Sequence, residues 1–312
     1  MSFAIFERAR LSGARVLFFL LAFVAGLGRA DAAVQVVTTT TDLAAIAREV
    51  GGDRVSVVSI ATGFQDPHFV DAKPSFLIKL QRADLFVEVG MELEVGWAPT
   101  LLANARNARI SPGGPGFVDA SQGIARLEIP NAADRSAGDI HPFGNPHYWL
   151  DPANGHLIAD NIAAGLKRVD PAGAAAYDAA TAAFHQKLNA ALDRWKAEAK
   201  PLAGLPVVAY HNSWPYFQQR FGFKATGFVE PKPGIPPSGR YVAELAESMK
   251  RDGVRVIVMS TFYDQKTANL LAKLSGARVV TLSNSVEGVP EAKDYLSLFD
   301  VNLQRLLAAV GE

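Results

Sequence analysis

Short apolar runs rich in valine and isoleucine alternate with amphipathic segments along most of the chain. In its first half the runs lie at residues 34–40, 55–60 and 84–90. The segments between and after them, with apolar residues at helical spacing, lie at residues 42–52, 74–83 and 97–107. The runs predict buried β-strands and the segments predict helices. Such an alternation predicts a parallel sheet covered by helices on both faces.

The alternation stops near residue 150 and resumes near residue 205. The intervening residues are rich in alanine and favour helix, and Pro171 divides them. The piece after Pro171 would form a helix on the order of 45 Å long, which suits a rigid connector better than an ordinary crossover. Strands are then predicted at 205–211, 223–230, 254–261 and 277–284. Helices are predicted at 214–222, 238–253, 265–276 and 292–310.

The pattern therefore predicts an α/β protein of two Rossmann-like lobes with parallel sheets, joined by one long rigid helix. We place the N-terminal lobe at residues 33–170, the connecting helix at 171–204 and the C-terminal lobe at 205–312.

The first 32 residues have the order of features that is typical of a secretory signal peptide. Arg8, Arg10 and Arg15 precede an apolar run over 16–27, and small residues follow around Ala32. The alternative is a membrane anchor, but a bilayer core requires about 20 apolar residues. We expect cleavage after Ala32 and a periplasmic location in a Gram-negative bacterium.

Composition narrows the classes of function. The formal net charge is zero and no basic stripe is present, which argues against nucleic acid as a partner. The chain has no cysteine, which excludes disulfides and thiolate metal ligands. From the same absence we predict that the exported protein is not lipid-anchored, and we expect a monomer.

The candidate chemistry lies in three of the six histidines. His68 follows the second predicted strand, His147 lies before the helix that leaves the first lobe, and His211 ends the first strand of the second lobe. Ligands of open α/β sheets bind outside the carboxyl ends of the strands. Three neutral imidazoles meeting there would suit zinc or a similar metal. The alternative is that each is a structural or surface residue, as we expect for His156 and His185.

Five segments carry a resemblance to a known family. They are DPHFV around His68, NPHYWLDP around His147, VVAYHNSWPYF around His211, GIPPSGRYVAEL, and TLSN followed by DYLSLFDVNL. In this order and spacing they resemble the metal-binding subunits of bacterial ABC importers for zinc and manganese, the cluster A-I solute-binding proteins. That family also has two α/β lobes and a single long connecting helix.

The resemblance implies that His68, His147 and His211 are the first three metal ligands. Zinc-type members have histidine at the third position, whereas manganese-type members have glutamate. The fourth position is usually aspartate, but here it is Asn284. Because an amide cannot offset the charge of the ion, Asn284 is only a candidate ligand. A water or a nearby acid such as Glu230 is the alternative, and the role of His141 stays open.

The expected function is capture of a divalent metal and its delivery to the membrane permease of an ABC importer. Zn²⁺ leads, ahead of Mn²⁺, Fe²⁺ and Cu²⁺. One alternative is a zinc-dependent hydrolase with the same three histidines, although the chain has no HExxH motif. Another is an adhesin, against which the missing cysteine argues. We expect a binding protein and not an enzyme. Asp66 and Asp151 are candidates for orienting the imidazoles.

Overall fold

The first lobe is built on a parallel sheet in the order β2-β1-β3-β4. The computed structural model describes residues 33–131 and 141–311, so the predicted signal peptide lies outside the described residues. The strands are β1 (Val34–Thr38), β2 (Val55–Ser59), β3 (Leu85–Glu88) and β4 (Phe117–Asp119). The helices are α1 (Thr41–Gly51), α2 (Pro74–Arg82) and α3 (Ala98–Ala105).

The second lobe repeats this design with a parallel sheet in the order β6-β5-β7-β8. Its strands are β5 (Pro206–Ala209), β6 (Lys224–Phe228), β7 (Val256–Ser260) and β8 (Arg278–Leu282). Two further helices, α4 (Gly155–Val169) and α5 (Ala174–Glu198), lead out of the first lobe. The remaining helices are α6 (Pro215–Phe221), α7 (Gly239–Arg251), α8 (Gln265–Ser275) and α9 (Tyr295–Val310).

Helix α5 is the predicted long connector, and with it the prediction of two α/β lobes joined by one helix is confirmed. It has 25 residues, which makes it about 37 Å long. Lys187 of α5 bonds to Glu49 of α1 at 2.8 Å, and the Trp195 indole donates to Asp300 of α9 at 2.6 Å. The helix is therefore held by elements of both lobes. It is shorter than the predicted range because Pro171 and Pro201 lie in 3₁₀ turns at either end.

The two lobes also meet directly through buried hydrogen bonds. The Thr41 hydroxyl donates to the Val286 carbonyl at 2.6 Å, and the Val286 amide donates to Asp42 at 2.9 Å. Gly63 is needed nearby because a Cβ there would collide with the Val286 carbonyl and the Gly288 amide. Burial raises the pKa of Asp42 to about 7.

Across the described residues, none of the helices combines the length and apolarity that crossing a bilayer requires.

Candidate metal centre

Two of the three histidines lie in segments that follow the carboxyl ends of strands, and the third lies before a 3₁₀ turn. His68 is in the loop between β2 and α2, and His147 precedes a 3₁₀ turn over Tyr148–Leu150 that leads toward α4. His211 follows β5 by two residues. The site therefore takes two side chains from the first lobe and one from the second.

The three imidazoles converge. One ring nitrogen from each of His68, His147 and His211 lies within 4.8 Å of the corresponding atoms of the other two. The ring centroids are 5.1 Å apart for His68 and His147, and 5.7 Å apart for each pair with His211. His147 is buried, and the side chains of His68 and His211 are only 10% and 12% exposed. Such a group can close on one ion with small movements, because zinc–nitrogen bonds are about 2.0–2.1 Å long.

Each ring is oriented by an oxygen atom on its Nδ1 side. The Nδ1 atom of His68 lies 2.7 Å from Asp66 Oδ1, and that of His211 lies 2.8 Å from Glu230 Oε2. Since an ionised carboxylate only accepts hydrogen bonds, both Nδ1 atoms carry the proton. The Nε2 atoms therefore present lone pairs, which is the tautomer that a metal requires.

His147 is held in the same way, but by an amide. Its Nδ1 atom lies 2.9 Å from Asn145 Oδ1. The Asn145 nitrogen donates to the Glu128 carboxylate at 3.1 Å and to the Asn212 carbonyl at 2.9 Å, which fixes the orientation of the amide. The oxygen of Asn145 therefore faces His147, and the Nε2 atom of His147 is free to bind metal.

Burial and like charges shape the electrostatics of the site. Burial, followed by the neighbouring histidines, holds the pKa of His147 well below its usual range. Burial alone would raise the pKa of Asp66, but its hydrogen bonds with His68 bring it below its usual value. His147 is thus neutral, and Asp66 ionised, at any physiological pH.

The structure shows where the other predicted residues lie. Asn284 is buried. Its backbone carbonyl accepts a hydrogen bond from the Trp149 indole at 2.8 Å. Its side-chain Oδ1 has no hydrogen-bond partner among the described residues. Asp66 and Glu230 contact imidazoles, whereas Asp151 instead caps a 3₁₀ turn and pairs with Arg220 at 2.6 Å.

The remaining histidines divide into two groups. His156 and His185 stack edge to face on α4 and α5, with ring centroids 4.6 Å apart. His141, in contrast, reaches the site, where its Nε2 atom lies 3.1 Å from that of His68. A cavity of about 310 Å³ opens beside these rings. It is lined by Glu128, His141, Gly144, Asn145, His147, His211, Asn212 and Pro233.

Sequence reasoning missed Asn145, although a local signal was present. The tripeptides Asp66-Pro67-His68 and Asn145-Pro146-His147 share one pattern. In both, the acidic or amide side chain accepts from the backbone amide of the histidine, at 3.0 and 3.1 Å, as well as from its ring. The repeated Asx-Pro-His pattern thus positions two of the imidazoles.

Comparison with known proteins gives a consistent result. The family described as "Zinc-uptake complex component A periplasmic" matches residues 36–309. The manganese ABC transporter substrate-binding lipoprotein PsaA of Streptococcus pneumoniae is 28% identical over 311 residues, covering 95% of this chain and 96% of PsaA. The high-affinity zinc uptake system protein ZnuA of Brucella abortus is 31% identical over 136 residues, or 44% of this chain and 41% of ZnuA. A crystal structure of ZnuA superposes with a TM-score of 0.75 at 25% identity, covering 89% of this chain and 99% of that one.

The names of the relatives correct one prediction. PsaA and three further streptococcal relatives are named lipoproteins. The prediction that this protein is not lipid-anchored is therefore wrong. It depended only on the missing cysteine, and residues 1–32, the predicted signal peptide, lie outside the described part of the chain.

Proposed function

Because the chain belongs to the periplasmic zinc-uptake component A family, we propose that it captures Zn²⁺ and delivers it to the permease of an ABC importer. The family consists of solute-binding components of metal importers, so the protein is not an enzyme and the hydrolase alternative falls away. The coarser function, extracytoplasmic binding of a divalent metal for import, follows from the family. The choice of zinc is our proposal, since the relatives include proteins named for manganese and for zinc.

The observation that supports zinc is the donor set. His68, His147 and His211 offer three imidazole nitrogens within 4.8 Å of one another. Imidazole suits zinc, whereas manganese favours carboxylate, carbonyl and water oxygens. The carboxylates of Asp66 and Glu230 are engaged with ring nitrogens and would orient the ligands. We propose the three histidines as ligands and Asn284 as a residue beside them.

The test compares two metals and two variants. Metal-stripped protein is titrated with Zn²⁺ and with Mn²⁺ in competition with a chelator, and zinc should bind more tightly. His147→Ala should lose most of the zinc affinity, whereas His185→Ala, on α5, should keep it. Thermal unfolding of the metal-free proteins checks that both variants fold. Tighter binding of Mn²⁺, or equal zinc affinity of the two variants, would refute the proposal.

A further inference from the structure

His141 faces His68 across a gap that fits a shared metal ion. Their Nε2 atoms are 3.1 Å apart and the ring centroids are 5.1 Å apart. Two nitrogens bound to one tetrahedral zinc ion, each at about 2.0–2.1 Å, lie about 3.3 Å from each other. The observed separation is thus close to one edge of a zinc tetrahedron.

The tautomers make a cation favourable in this gap. The Nδ1–H group of His68 donates to Asp66, so the Nε2 atom of the neutral ring carries a lone pair. A neutral imidazole has one ring proton. With that proton on Nδ1, the Nε2 atom of His141, 3.1 Å from Nε2 of His68, carries a lone pair as well. Two lone pairs at this distance repel unless a positive ion lies between them.

The backbone at His141 forms a turn that presents the ring to the site. The Gly144 amide donates to the His141 carbonyl at 3.1 Å, which closes this turn around Pro142. His141 lines the same cavity as His147 and His211.

The two candidates for a fourth ligand differ in chemistry. Zinc in proteins is bound by cysteine, histidine, aspartate or glutamate. Amide and carbonyl oxygens suit harder ions. Asn284 would offer such an oxygen, whereas His141 would offer a fourth imidazole. The donor preference of zinc therefore favours His141.

We propose that His141 is the fourth protein ligand of the bound zinc, in place of the acidic residue that Asn284 replaces; this inference rests on the proposed function. The Nε2 atoms of His68 and His141 already have the separation expected of two ligands of one zinc ion. His141 does not, however, lie within 4.8 Å of all three of the other histidines, which form the group described above. Zinc binding draws the His141 ring toward His147 and His211 and closes the site with four nitrogens.

The experiment counts imidazoles and measures affinity on the same samples. X-ray absorption at the zinc edge should show four imidazoles in the zinc-loaded protein and three, with one oxygen, in His141→Gln. Chelator competition should show at least about a 10-fold loss of zinc affinity in His141→Gln, since even partners of the ligands give 10–100-fold effects. Asn284→Ala is the matched variant and should keep four imidazoles and an affinity within two-fold.

The outcomes separate the inference from the function. Three imidazoles in the unaltered protein, or unchanged affinity of His141→Gln beside a clear loss in His147→Ala, would overturn the role of His141 and leave zinc capture standing. A loss in Asn284→Ala without one in His141→Gln would assign the fourth position to the amide. Full zinc affinity in His147→Ala would instead refute the proposed function.

Discussion

Removing the charge of Glu230 should weaken zinc binding even though we do not assign Glu230 as a ligand. If four neutral side chains bind the ion, its double charge is not offset by any ligand. The compensating charges then lie one step away, on Asp66 and Glu230, each joined to a ligand ring. Glu230→Gln keeps the shape of the side chain and an acceptor oxygen for His211, and removes only the charge.

The size of the effect follows from the geometry. The 2.8 Å hydrogen bond to His211, the width of the ring and a zinc–nitrogen bond place the carboxylate about 6 Å from the ion. At an effective dielectric constant of 20, its attraction for a doubly charged ion is about 5 kcal/mol. This is an upper limit, because water and the ring reorganise when the charge is removed. Changes to partners of zinc ligands typically cost 10–100-fold in affinity, or about 1.4–2.7 kcal/mol, and we expect Glu230→Gln to fall in this range.

The assay is competition with a zinc chelator at pH 7.5, for Glu230→Gln and for a control, Glu128→Gln. Glu128 lines the same cavity but bonds to Asn145 and Asn212, not to an imidazole. The control removes a nearby charge without touching a ring, so its effect should be the smaller of the two. Affinity of Glu230→Gln within two-fold of the unaltered protein would refute the charge argument. Equal losses of zinc affinity in both variants would show that any negative charge near the cavity contributes equally, whether or not it contacts a ligand ring.

Three further predictions concern stability and shape. Asn145→Asp should destabilise the metal-free protein by about 1–3 kcal/mol, because it places a second carboxylate against Glu128; urea unfolding that matches the unaltered protein would contradict this. Burial, with repulsion from Glu94 and Asp119, raises the pKa of Glu88 from 4.5 to about 8, so the stability linked to this group is full below about pH 4.5 and is lost as the pH rises toward 8. Glu88→Gln should remove that loss and gain on the order of 2 kcal/mol over the unaltered protein at pH 8, and equal changes in unfolding free energy from pH 5 to pH 8 in both proteins would disprove it. Since α5 is bonded to both lobes, small-angle scattering should give the mass of one chain and the same radius of gyration with and without zinc, and a compaction beyond experimental error would exclude such rigid lobes.

The architecture could be predicted because its signals are local and repeated. The predicted strand segments mark seven of the eight described strands, and alanine-rich sequence marks α5. β4 was missed because it spans only Phe117–Asp119, too short to show a period. The convergence of His68, His147 and His211 could be expected from the strand-end rule, which needs the order of the elements and not their coordinates.

The residues that orient the imidazole rings differ in whether local sequence or long-range strand pairing places them. Asp66 acts within its own tripeptide, so the sequence could suggest it as an orienting residue. Glu230 could be named only as a nearby acid, because its contact depends on how two strands pair. Ala209 of β5 stands opposite Phe228 of β6, and His211 and Glu230 each follow these residues by two positions. A shift of that register by one residue would turn the carboxylate to the other face of the sheet and away from the ring.

His141 shows what sequence reasoning leaves out most completely. Its place in a Gly- and Pro-rich loop close to His147 suggests that it lies near the site, but no pattern in that loop indicates which atom it faces. That atom is Nε2 of His68, a residue 73 positions earlier in the chain. The contact depends on how the fold brings two distant loops together, and no local pattern around either residue specifies it. The fourth side of the site is therefore visible only in three dimensions.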